Sequence, residues 1–64
     1  MAEPRYEYRV TLRTKSKRAV VMHDGINDYQ TARDLAVLER ADYPHATIWI
    51  EQREIHDWER VAEL

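Results

Sequence analysis

Three histidines and a run of acids are the residues whose types could carry chemistry in this 64-residue chain. His23 and His56 are each followed by an aspartate, Asp24 and Asp57. Such a pair can ligate a divalent metal where at least three side chains converge, as they do when several helices supply them. His45 is the third candidate. The pattern predicts a single helix, with the histidines at the ends of other elements, so the chain offers no such convergence. They read as surface residues, and no metal or other cofactor is expected. Glu51, Glu54, Asp57 and Glu59 could do acid–base work if one were buried. They alternate with Gln52, Arg53 and Arg60, which reads as a solvated edge that resists aggregation.

The remaining chemistry is mostly excluded. There is one glycine, Gly25, and no cysteine. Glycine-rich phosphate loops, nucleophile elbows, thiol nucleophiles, disulfides and Cys-based zinc sites therefore fall away. Ser16, the only serine, sits among lysines on an expected hairpin tip and reads as a loop residue. The chain is expected to act without catalysis.

Arg13, Lys15, Lys17 and Arg18 form the densest basic cluster, four cations within six positions. A two-stranded ribbon with Lys and Arg at its tip can neutralise phosphates in a nucleic-acid groove. Against this stand a sequence pI of about 5.9 and the lack of any aromatic residue interleaved with the cluster. The charge is polarised: residues 1–27 carry six basic residues against three acids, and residues 28–64 carry four against nine. Such asymmetry can steer a charged partner or a second copy, or be no more than a mixed solvated surface.

These residues need elements to position them. Tyr6, Tyr8, Val10 and Leu12 alternate with Glu7, Arg9, Thr11 and Arg13, a period of two that predicts a strand with one buried face. Residues 14–17 read as a hairpin loop. Arg18 to His23 reads as a second strand, apolar on both faces through Ala19–Met22. Asp24-Gly25 is expected to break it. A helix follows, capped by Asp28 or Thr31, with Ala32, Leu35, Ala36 and Leu38 on one face and Val37 and Ala41 on the other. Pro44 ends it, and Tyr43 is extended before the proline. Tyr29 and Tyr43 staple its two ends. Ala46 to Ile55 is a third strand, with Ile48 and Ile50 facing one way and Trp49 the other. Ile55 is out of phase with that pair, which predicts a bulge or bend. Residues 56–61 form a short fourth strand or a continuation. Residues 1–5 read as a frayed terminus.

The stretch 29–61 resembles small uncharacterised proteins of actinobacterial phages. The likeness rests on a helix ending in Arg40-Ala41-Asp42-Tyr43-Pro44-His45-Ala46, the strand Ile48-Trp49-Ile50-Glu51, and the closing Ile55-His56-Asp57-Trp58-Glu59-Arg60-Val61. It covers about half of the chain and implies a phage accessory protein in a bacterial cytoplasm, with no assigned activity and no functional residue to carry over.

The chain is thus expected to be one small α+β domain over 1–64 of β-β-α-β(-β) order. Three or four strands form one antiparallel-rich sheet in the order 2-1-3, with a single helix packed on one face. At 44% hydrophobic and 34% charged residues it is too apolar for disorder and too charged to span a membrane. The N-terminus lacks the apolar stretch of a signal peptide, so a cytoplasmic location is expected. The favoured function is binding a protein partner, a host protein or a second copy as in a homodimer, through the sheet face away from the helix. Ala19, Val21 and Trp49 would form that patch, with Val37 uncovered on the helix. The alternative is nucleic-acid binding through Arg13, Lys15, Lys17 and Arg18.

Overall fold

The computed structural model describes residues 6–15, 17–54 and 57–64. Four strands and one helix follow in chain order: β1 (Glu7–Arg13), β2 (Val20–Ile26), α1 (Tyr29–Asp42), β3 (Thr47–Arg53) and β4 (Glu59–Glu63). They make one open antiparallel sheet in the order β2-β1-β3-β4. The α+β class, the central place of β1 and the 2-1-3 order match the sequence expectation, and the fourth strand exists. Residues 1–5, Ser16, Ile55 and His56 lie outside the described residues. The fraying, the catalytic reading of Ser16, the phase of Ile55 and the metal reading of His56 lie there with them.

The alternation of β1 sets the two faces. Val10 and Leu12 point to the helix side and join Ile26, Ala32, Ala36, Ala46, Ile48 and Ile50 in the core. Tyr8, Met22, Leu35, Ala62 and Leu64 pack around it, half-buried. β1 and β3 pair without a register break, from Glu7 opposite Arg53 to Arg13 opposite Thr47. Their odd-numbered residues therefore form the other face: Glu7, Arg9, Thr11 and Arg13 beside Arg53, Glu51, Trp49 and Thr47.

β2 departs from the expected boundaries. It starts at Val20 and runs through Asp24-Gly25 to Ile26 instead of ending at His23. Two extra residues on β2 are absorbed as bulges, one between its pairings with Tyr8 and Val10 and one between Val10 and Thr11. Gly25 has φ +65° and supplies the left-handed residue of the first. A strand that reads as interrupted in sequence is thus continuous in pairing, because the glycine is accommodated by a bulge. The same shifts bring His23 opposite Val10, on the helix side, where its Nε2 lies 3.0 Å from Glu39 Oε1 on α1.

Asp28 caps α1. Its Oδ2 accepts hydrogen bonds from Thr31 N at 2.9 Å and Thr31 Oγ1 at 3.0 Å. The helix turns Ala32 and Ala36 inward, small enough to let its backbone lie close on the sheet. Leu38 does not share that face as expected. It is 62% exposed, because at about 3.6 residues per turn it falls off the face that Ala32, Leu35 and Ala36 share, where Glu39 falls instead and meets His23. α1 stops at Asp42, and Tyr43, at φ −129° and ψ 70°, has left the helical region before Pro44 but is not extended as expected, since its N–H still donates to Glu39 O. Among the described residues no helix is long and apolar enough to cross a membrane.

Candidate functional site

The face away from the helix is closed by charge and aromatic stacking. Arg9 Nε donates to Glu51 Oε1 at 2.8 Å, and Thr11 Oγ1 donates to the same oxygen at 2.7 Å. Burial alone would raise the Glu51 carboxyl. The bonds from Arg9 and Thr11, with the Arg9 charge, outweigh it and hold the group below its ordinary value. Arg53 Nη2 pairs with Glu7 Oε2 at 2.9 Å. The guanidinium carbons of Arg9 and Arg53 lie 4.2 Å and 4.5 Å from the ring centre of Trp58, and that of Arg60 lies 4.0 Å from Trp49.

Trp49 is therefore on the expected face but only 5% exposed, so it offers no ring to a partner. Its Nε1 is the one buried side-chain donor without a partner among the described residues. Val21 is exposed on this face, opposite Thr11, at the edge of the sheet. Ala19 is exposed but precedes β2. Val37 is half exposed on α1, with the whole sheet between it and Trp49. Val21 and Trp49 share one face, both opposite Thr11, whereas Val37 stands on the other side of the sheet. The apolar residues that do lie together in the open are on the back of α1: Val37, Leu38 and Ala41, at helical spacing.

The basic hairpin gains neighbours that its sequence surroundings lack. Arg13, the last residue of β1, pairs with Thr47, the first of β3. The loop beyond β1 is tightened by Lys17 N donating to Thr14 O at 3.1 Å. Beside it lies the turn Tyr43-Pro44-His45-Ala46, closed by Ala46 N donating to Tyr43 O at 3.1 Å, with proline at the second position, where its fixed φ fits. Arg40 Nη1 donates to Ala46 O at 3.0 Å and ties the turn to the helix.

Two adjoining open depressions result. One, of about 480 Å³, is lined by Arg13, Thr14, Lys15, Lys17, His45 and Thr47. The other, of about 510 Å³ and mainly apolar, shares Thr14, Lys15, Lys17 and His45 and adds Tyr43, Pro44, Ala46 and Asp42. Arg18 is exposed but lines neither.

Charge separates the two surfaces. Arg9, Arg53 and Arg60 each pair with a glutamate. Among the described residues no carboxylate lies within ion-pair distance of Arg13, Lys15, Lys17 or Arg18. Asp42 and the carbonyl end of α1 contribute the opposing negative charge. A helix end is equivalent to about half a charge and acts within its last turn, so the cations prevail at this end of the molecule. The sequence reading missed Tyr43, Pro44 and His45 as members of the site, since they stand about thirty residues from the hairpin. Among the described residues no three His, Asp or Glu side chains gather as a metal would require. No protein-family model, curated protein or solved structure matches the chain.

Proposed function

We propose that this chain is a small, non-enzymatic binding protein that engages nucleic acid through its basic hairpin. The observation that carries the reading is the contrast between paired and unpaired cations. Arg9, Arg53 and Arg60, which stack on the two tryptophans, each have a glutamate, whereas Arg13, Lys15 and Lys17 share a depression with none within ion-pair distance among the described residues. Phosphates are the ligand chemistry such a cluster fits. The aromatic residue whose absence argued against nucleic acid is supplied by the Tyr43 turn. The test is binding to a labelled nucleic acid across a salt titration. Lys15→Ala with Lys17→Ala is expected to weaken binding alike for all sequences and to flatten the log K against log salt slope by about two. An unchanged slope with unchanged affinity would remove the reading.

The back of α1 supports a second reading, a protein partner or a second copy of this chain. Leu38 and Val37, at 62% and 50% exposure, are large apolar side chains left uncovered in a domain with few of them. Sedimentation velocity of the wild type and of Leu38→Glu tests self-association there. A dimer that dissociates in the variant supports it, and a wild-type monomer at high concentration removes it. The likeness of residues 29–61 to actinobacterial phage proteins supports a phage accessory role in a host cytoplasm for either reading.

A further inference from the structure

We infer that the ligand of the hairpin site is single-stranded nucleic acid, held with phosphates on Arg13, Lys15 and Lys17 and one unpaired base against the Tyr43-Pro44-His45 turn. The inference rests on the phosphate-binding reading above and adds the strand state of the ligand. Cations alone would not distinguish single strands from duplexes, since both present phosphates. The second depression makes the distinction. It is mainly apolar, it continues directly from the cationic one, and Tyr43 in it is 42% exposed.

A base in a duplex has both faces covered by its neighbours and its edge taken by its pair. It cannot fill an apolar recess that lies flush beside the phosphate contacts. A base on a single strand can, because its faces are free and the adjoining phosphate reaches the lysines. The site also lacks the form that duplex reading requires. The Tyr43 turn lies beside the hairpin and lines a depression with Thr14, Lys15 and Lys17, so the ribbon does not stand alone as one that enters a groove does. Lys15 and Lys17 line both depressions, so one strand can touch charge and ring at once. Arg40 holds the turn through Ala46 O, so the recess is preformed. Asp42 at the rim is the one carboxylate among the lining residues, and it weakens the site without blocking it.

The test is fluorescence anisotropy at low salt with four probes of equal length, about twelve nucleotides. They are oligothymidylate, oligouridylate, an abasic strand with the same phosphates, and a DNA duplex. Tyr43→Ala, Tyr43→Phe and the Lys15→Ala/Lys17→Ala pair are compared with the wild type, each checked for folding by circular dichroism. A base-bearing strand is expected to bind about tenfold more tightly than the abasic one. Tyr43→Ala should lose that advantage, and Tyr43→Phe should keep it. Abasic or duplex probes that bind as tightly as the base-bearing strands would overturn the single-strand inference while leaving phosphate binding intact. Failure of all four probes would overturn both.

Discussion

The guanidinium of Arg60 lies 4.0 Å from the centre of the Trp49 ring, and this contact decides what the outer face of the sheet can do. A tryptophan in the middle of a sheet face that no helix covers would ordinarily be an invitation to a partner. Here β4 folds back beside β3 and lays Arg60 across the ring. Arg9 and Arg53 treat Trp58 in the same way. The charged heads stay in contact with water and with glutamates while their planar groups cover the aromatic faces. One layer of arginine thus substitutes for a second layer of secondary structure over the two rings.

Trp49 is consequently a stability residue. Trp49→Ala is expected to cost about 3–5 kcal/mol. That is comparable to the whole net stability of a domain this small, about 3–5 kcal/mol. The variant should therefore lack a cooperative thermal transition by circular dichroism. Arg60→Ala removes the cover together with an exposed pairing to Glu63, and should cost about 1 kcal/mol. In a Trp58→Phe background it should also make Trp49 fluorescence more accessible to iodide. Unchanged quenching would show that something other than Arg60 shields the ring.

Glu51 makes stability depend on acid. Its carboxyl is held below its ordinary value of 4.5 in the folded chain, so it binds its proton less readily there than in the unfolded chain. The stability it contributes is complete above that ordinary value and is lost as pH falls through the lower, folded one. Glu51→Gln should destabilise at neutral pH by about 2 kcal/mol, from the loss of charged hydrogen bonds. The gap between variant and wild type should narrow below about pH 4. Urea midpoints at pH 7 and pH 3 measure it, and a constant gap would count against the ion pair as its source.

Gly25 tests the bulge. A Cβ added there meets nothing within 4 Å, so any cost comes from its φ of +65° alone. Gly25→Ala should destabilise by about 1 kcal/mol, and Gly25→Asn by less, since asparagine tolerates that region better. Equal losses for the two in denaturant melts would point to a cause other than backbone conformation.

Asp42 tests the sign of the site. It is the one carboxylate among the residues that line the two depressions. Asp42→Asn should tighten binding to oligothymidylate severalfold at low salt, with the gain shrinking as salt screens it. Weaker binding in the variant would place the ligand's contacts elsewhere on the surface.

The elements themselves were legible from residues six to eight positions apart. Alternation marked β1 and gave its two faces, Asp28 and Pro44 bounded α1, and Ile48, Trp49 and Ile50 declared which way β3 turns. These are local matters, settled by periodicity and by the geometry of caps and proline. What the sequence could not disclose depends on pairing at long range. The bulges at Gly25 and near Met22 keep β2 intact and aim His23 at Glu39. β4 delivers Arg60 to Trp49 from eleven positions away, and an exposed ring becomes a buried one. The β1–β3 register sets Arg13 beside Thr47 and so brings Tyr43 and His45 to the lysines of the hairpin. Local pattern says which face a side chain takes on its own element. Which other element arrives to cover it, or to complete a site with it, follows only when the strands close on one another.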